Sequence, residues 1–303
     1  AKNLKTKRTK TIGVVVEDIT VFCAPEIIDG ITKCCEEKGY HILLTNLRLY
    51  KKFGDSYYEN ENFFQTVHRE IRELISKQVD GIVYVTAHER VLKCLPEKLT
   101  VPASMAYGYT KSDSYPAVVV DDRRGAYEII NYVISMGHKK IGVITGKESS
   151  IHTHDRLLGY QKALFDHEIV FNPDAIVEGG WTREGGYRCT DQLLEQKVTA
   201  IFCMNDIMAG GVYDRLTEKG LVPGKDIAVV GFDNRELSNF YQPPLTTIEL
   251  PLYEIGYTSC QNVIEDIESQ DSGEQTESKH RMVELPVPCK LLVRGSVQNI
   301  SGK

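Results

Sequence analysis

With 303 residues, 42% of them hydrophobic and 26% charged, the chain is long enough for two packed units and has the composition of an ordinary globular protein. A formal charge of −6 excludes a strongly basic nucleic-acid footprint across the chain as a whole. No apolar run reaches membrane-spanning length, and the lysine-rich start lacks a following apolar signal region, so a cytoplasmic protein with no membrane partner is expected.

Residues 1–10 are polar and basic, either a solvated leader or the junction to a nucleic-acid-binding segment. Thr11 to Val16 is the first strong strand. Pro25 opens a helix whose Ile27, Ile28, Ile31 and Cys34 share a face that ends near Gly39. Tyr40 to Thr45 is the second strand, and no closely spaced glycines mark a dinucleotide loop. Leu47 to Asn62 reads as a surface loop before a helix from Phe63 to Ser76. Buried strands follow at Gly81 to Val85, Val101 to Tyr107 and Ala117 to Val120, then a helix around Gly125 to Ser135. Such strand–helix alternation predicts a largely parallel sheet covered on both faces.

A second series begins near Gly137, where a first crossing between units is expected. It includes a strand from Lys140 to Thr145, a helix from Asp155 to His167, a strand at Ala175 to Glu178 and a helix from Glu184 to Glu195. Ala200 to Met204 is a strand, Ile207 to Lys219 a helix and Ile227 to Gly231 a strand. Phe232, Asp233 and Asn234 then set a ring, a carboxylate and an amide at the carboxyl end of that strand, where open α/β sheets bind ligands. Pro243 and Pro244 interrupt regular structure before an extended run from Leu245 to Leu250. Leu252 to Ile267 is helical, Ser269 to His280 is a polar excursion, and Met282 to Leu285 and Lys290 to Arg294 are two short strands. The eight cysteines lack zinc-clamp spacing, which predicts free structural thiols.

Several phrases carry a resemblance that spans nearly the whole chain in order. They are TIGVVVED near the start, GHKKIGVITG from Gly137, DRLLGYQKAL from Asp155 and AIFCMNDIMAGGVYDRL from Ala200. IAVVGFDNRE from Ile227, PPLTTIELPLYEIG from Pro243 and LLVRGS from Leu291 complete the set. Together they resemble the effector-binding core of bacterial LacI-type transcriptional repressors. The resemblance implies an α/β fold of two doubly wound Rossmann-like lobes, of periplasmic-binding-protein-like class I type, joined by multiple crossovers. The expected division is residues 1–10 as the end of a DNA-binding hinge and linker, 11–136 plus 251–287 as the first lobe, and 137–250 plus 288–303 as the second. Operator DNA would be contacted through an upstream helix-turn-helix domain that this sequence does not contain.

Ligand contacts carry over residue by residue. Arg156 resembles the arginine that grips ligand hydroxyls or a carboxylate, and its donor fork suits either. Asp233 resembles the acidic acceptor of sugar hydroxyls, and Asn205 the amide at a neighbouring strand end. Trp181 matches the cleft aromatic, Phe22 and Ala24 the first lobe's contact loop, His152 a polar approach to the ligand and Asp122 a contribution from the lobe junction. Arg156 has a second reading as a helix salt bridge, and Asp233 and Asn205 as caps of the segments that follow them. The effector implied is sugar-like, with a purine stacked on Trp181 as an alternative. The other implied partners are a second copy in a homodimer, with the Pro25 to Lys38 helix as dimer material, and in some members a phosphorylated corepressor protein.

No nucleophile elbow, metal-spacing motif, phosphate loop or complete acid–base constellation is present. The chain therefore reads as a regulator with no catalytic residue, cofactor or metal. The competing reading is a periplasmic-type binding protein for transport or chemotaxis, and the absent signal region argues against it.

Overall fold

The computed structural model describes residues 8–54, 57, 63–96, 98–110, 114–272 and 284–302. The chain divides into two compact units, Ala1–Val120 with Pro251–Val287, and Asp121–Leu250 with Pro288–Lys303. The first unit begins with β1 (Thr11–Val16), α1 (Ala24–Lys38), β2 (His41–Asn46), the short α2 (Leu49–Phe53), α3 (Phe64–Ser76) and β3 (Gly81–Val85). It continues through β4 (Val91–Leu92), β5 (Ala103–Ala106), β6 (Tyr109–Thr110) and β7 (Ala117–Val120). The second unit holds α4 (Asp122–Ser135), β8 (Ile141–Thr145), α5 (Ile151–Asp166), β9 (Ile176–Glu178) and α6 (Arg183–Glu195). Then come β10 (Ala200–Cys203), α7 (Asp206–Glu218), β11 (Ala228–Val230) and β12 (Thr247–Glu249). The chain returns to the first unit as α8 (Leu252–Ser272) and β13 (Glu284–Val287), and to the second as β14 (Lys290–Leu292).

The first unit's sheet has the order β13-β7-β5-β3-β1-β2, parallel throughout. Its central strands are runs of valine, isoleucine and alanine buried on both faces, as expected where helices cover a parallel sheet twice. β13 lies at an edge, which is why Pro286 is tolerated within it opposite Val119. The second unit's sheet runs β11-β10-β8-β9, again parallel, with an antiparallel β12–β14 pair beside it. In α1, proline in the first turn and Gly39 in the left-handed conformation at the end mark both termini.

Three local expectations are revised. The first crossing lies between Val120 and Asp121, not near Gly137. α4 belongs to the second unit because it meets α5 through Gly159, where an added Cβ would fall 2.2 Å from the Arg123 carbonyl oxygen. The stretch after Leu47 is not a plain surface loop: Leu49 opens α2, and Leu47, Leu49 and Tyr57 are buried in the first unit's core. α8 extends through Ser272, so the expected polar excursion begins later than Ser269; the rest of it and Met282 lie outside the described residues. The two last strands belong to different sheets, β13 with β7 and β14 with β12. Most of the expected hinge and linker, residues 1–7, also lies outside the described residues.

Candidate functional site

In the second unit, β8, β10 and β11 are parallel neighbours and so end on the same edge. Their carboxyl ends lead to Gly146, to Met204-Asn205 and to Gly231-Phe232-Asp233, the edge on which α/β sheets collect binding groups. Two helix starts supply the rest. Asp121 caps α4 by accepting from Arg124 N at 3.1 Å, which sets Asp122 in the first turn. α5 presents His152 and Arg156 four residues apart and hence on one face.

These side chains form one network. Arg156 Nε donates to Asp122 Oδ1 at 2.6 Å, and Arg156 Nη1 to Asp233 Oδ1 at 3.4 Å and to the Met204 carbonyl. His152 Nδ1 pairs with the other oxygen of Asp122. The guanidinium carbon lies 3.7 Å from the centroid of the Phe232 ring and 5.7 Å from that of Trp181, a geometry in which a cation is attracted to the ring faces. Arg156 is 2% exposed, so its charge stands among two carboxylates, a carbonyl and two aromatic rings. A planar, weakly hydrated fork suits that position in a way that a lysine would not.

The loop carrying Asp233 is held under strain. Asp233 and Asn234 are consecutive non-glycine residues with φ of 101° and 53°, a conformation that costs about 1–3 kcal/mol per residue and persists only when the surroundings enforce it. Asp233 N donates to Ile248 O at 2.8 Å. The Asn234 amide donates to Glu249 Oε1 at 2.8 Å and accepts from Arg294 Nη2 at 2.7 Å. Arg294 also donates to the Leu245 carbonyl at 2.8 Å and to Ser238 Oγ at 3.1 Å. Beneath the loop, Asp206 accepts from Thr247 Oγ1 at 2.6 Å and from Arg235 N at 2.7 Å. Gly231 is required there, because a Cβ would fall 2.2 Å from Asp206 Oδ1.

The three carboxyls differ in electrostatics. Burial raises Asp122, but the charges of Arg156 and His152 and their hydrogen bonds outweigh it, so Asp122 is held below the usual carboxylate range. Burial pushes Asp233 up to about 6 against the opposing pull of Arg156 and His152. Asp206 is pushed up to about 8, first by burial and then by the charge of Asp233. One arginine thus serves two acids, and a third acid beneath them is pushed toward its neutral form. Groups whose environments drive them apart in this way cluster at binding sites.

Of the residues singled out from the sequence, Asp122, His152, Arg156 and Asp233 are joined directly, with Trp181 against Arg156. Asn205 touches the network through the backbone: its amide donates to Trp181 O at 3.3 Å, while its oxygen caps α7 by accepting from Met208 N at 2.8 Å. Trp181 is half-buried at a φ of 70°. It packs against Gly146, where a Cβ would come within 1.9 Å of the indole. Phe22 and Ala24 lie in the other unit. Phe22 is 37% exposed, whereas Ala24 is fully buried as the first residue of α1, so its side chain is core material. Sequence reasoning left Phe232, Asp206 and Arg294 out of the candidate set. The aromatic beside Asp233 was visible in the GFDN phrase, but the tertiary pairings of Asp206 with Thr247 and of Arg294 with Asn234 have no local signal.

Among the described residues no helix is long and apolar enough to cross a membrane. A family profile for the periplasmic binding protein-like domain matches residues 130–297. The HTH-type transcriptional repressor CytR of Escherichia coli (strain K12) is 33% identical over 300 residues, which cover 98% of this chain and 82% of that protein. The HTH-type transcriptional repressor PurR of Haemophilus influenzae (strain PittEE) is 32% identical over 307 residues, covering 99% and 85%. Among solved structures, a LacI family transcriptional regulator from Enterococcus faecium with bound ribose superposes with a TM-score of 0.68 at 26% identity, covering 96% of this chain and 99% of that one. A regulatory protein of the LacI family from Chloroflexus aggregans superposes with a TM-score of 0.75 at 23% identity, covering 95% and 98%. These relatives are repressors and regulators rather than enzymes or transport proteins. The chain belongs to the LacI family of transcriptional regulators, and its two α/β units are the family's effector-binding core.

Proposed function

We propose that the chain senses a small polar effector, a free sugar or a ribose-bearing molecule, through the Asp122–His152–Arg156–Asp233 network and the Trp181 ring. The observation that supports this reading most directly is Arg156: a buried guanidinium divided between Asp122 and Asp233 with aromatic rings beside it. A polyol can accept from the guanidinium and donate to Asp233 in one pose, while its apolar ring face rests on Trp181. Among the structural relatives, the Enterococcus faecium regulator was solved with ribose. Asn205 and Phe22 are further proposed contacts. Occupancy then biases the arrangement of a homodimer and thereby its affinity for operator DNA, a coupling that works in both directions. A phosphorylated corepressor protein is a further proposed partner.

Calorimetry against ribose, hexoses, nucleosides, purine bases and sugar phosphates tests the reading. One of these classes is expected to bind, and Arg156→Ala to weaken it at least tenfold, since a charged hydrogen bond contributes about 1.5–3 kcal/mol. Unchanged affinity in that variant would remove Arg156 from the contact set. A full-length protein whose operator binding ignores every ligand of the site would overturn the regulatory reading.

A further inference from the structure

α1 and α8 pack against each other in the first unit through two glycines. A Cβ at Gly30 would fall 2.0 Å from the Tyr253 carbonyl oxygen, and one at Gly256 would fall 1.9 Å from that of Ile27. Contact through glycine brings helix axes to the short end of the roughly 8–10 Å range. Each glycine is followed four residues later by a cysteine, Cys34 on α1 and Cys260 on α8, and Cys35 is adjacent to Cys34. Cys35 Sγ and Cys260 Sγ are 3.4 Å apart, and Cys34 also hydrogen-bonds Cys260. All three thiols are buried. The close backbone approach that glycine allows is also what a disulfide between two helices requires.

We infer that Cys34, Cys35 and Cys260 form an oxidisable thiol site, in which Cys260 bonds to one of the two neighbouring cysteines and ties α1 to α8. Burial alone makes a cysteine inert, but this cluster has a nucleophile. Cys34 is drawn below the ordinary thiol range, first by the hydrogen bond from Cys260 and also by the charge of Lys38. Cys260, whose thiol is pushed far up by its hydrogen bonds to Cys34 and Cys35 and by burial, is the proton-bearing partner. Near the cluster, Tyr257 Oη donates to Glu37 Oε2 at 2.7 Å, an exposed bond linking the same two helices.

The oxidant is a peroxide, little larger than water. The Cys34 thiolate attacks one peroxide oxygen, the O–O bond breaks, and the departing hydroxide takes a proton to leave as water, which gives a sulfenic acid. The Cys260 sulfur attacks that sulfenic sulfur, the S–O bond breaks, and a second water leaves with the Cys260 proton. Two thiols lose two electrons, and one peroxide becomes two waters. Exchange with Cys35, the sulfur closest at hand, then redistributes the bridge between the two α1 positions.

The test treats the full chain with hydrogen peroxide, blocks residual thiols with iodoacetamide, and maps peptides before and after reduction. The expected result is the loss of two hydrogens in a cross-link joining Cys260 to Cys34 or Cys35, reversed by dithiothreitol, with a rise in the thermal midpoint of roughly 5 °C. Cys260→Ala is expected to abolish the cross-link. Cys35→Ala should retain the bridge, Cys34→Ala should form it much more slowly because the attacking thiolate is gone, and the two together should form none, which keeps the test decisive if the Cys260 variant fails to fold. Oxidation confined to the half-buried Cys289, or a bridge that excludes Cys260, would overturn the assignment.

Discussion

Each unit places a carboxylate–arginine pair just beyond its sheet strands, and the two pairs are built to opposite specifications. In the first unit, Glu17 follows β1 and is fully buried. It accepts from both terminal nitrogens of Arg90, at 2.6 and 3.0 Å, from Tyr84 Oη and Ala87 N, each at 2.9 Å, and from Tyr57 Oη. One acid meets one base, and both carboxylate oxygens are saturated. In the second unit, Arg156 is divided between Asp122 and Asp233, with a long bond to the latter, and a third acid, Asp206, lies beneath. A saturated pair fixes a fold. A network in which one arginine is shared between two acids, carried on a strained loop, has something left for a ligand to satisfy.

The most severe way to break this comparison is Glu17→Ala. It strands a buried guanidinium and three other donors, and unfolding stability is expected to fall by about 3–5 kcal/mol, measured by circular dichroism in urea. The lone tryptophan of the chain, Trp181, lies in the second unit, so its fluorescence reports that unit separately and is expected to change less than the far-ultraviolet signal. A loss below about 1 kcal/mol, the range of exposed ion pairs, would mean that Glu17–Arg90 is no structural clamp.

The contrast also explains what the sequence revealed. Strand and helix types were legible because β-branched runs and amphipathic helices alternate, and the acid of the GFDN phrase was legible because it ends a strand. The unit to which α4 belongs was not, since an amphipathic stripe records that a helix packs but not on which sheet. The decisive fact, the fit of Gly159 against Arg123, involves another helix. Likewise, Asp206 is the first residue of α7 and reads as an ordinary helix-start acid. Only the fold shows it buried beneath Gly231 and Asp233, and only the fold turns Glu17 from a polar loop residue into the centre of five hydrogen bonds.

Acid and base sharpen the comparison because two acids of the second site, Asp206 and Asp233, respond to pH with the sign opposite to that of Glu17, whereas Asp122 shares it. Burial raises Glu17, but the charge and hydrogen bonds of Arg90 and the hydrogen bond of Tyr57 outweigh it, and its pKa is lowered. Its stabilisation is present above about 4.5 and is lost on acidification. Asp206 is raised from 3.8 to about 8 and Asp233 to about 6. For these the folded state holds protons that the unfolded chain has released, so stability is full below about pH 4 and declines as the pH rises toward 8. Each contributes a slope of at most about 1.4 kcal/mol per pH unit within its window. Asp206→Asn is therefore expected to flatten the decline between pH 6 and 8 in fluorescence-monitored urea titrations. A slope equal to that of the unsubstituted chain would show Asp206 already ionised in the folded state.

The smallest effect separates capping from contact at Asn205. Its oxygen accepts from Met208 N and its amide donates to Trp181 O, so helix and indole loop depend on different atoms of one side chain. Asn205→Ala removes both and is expected to cost about 1 kcal/mol, the usual loss for a missing N-cap. Asn205→Ser restores an acceptor at the cap but supplies no amide donor, so stability should recover to within a few tenths of a kcal/mol while the emission of Trp181 stays shifted. If effector affinity follows the serine variant's stability, Asn205 acts through α7. If affinity stays low although stability has recovered, the amide acts at the binding site itself, directly or by holding Trp181 against Gly146.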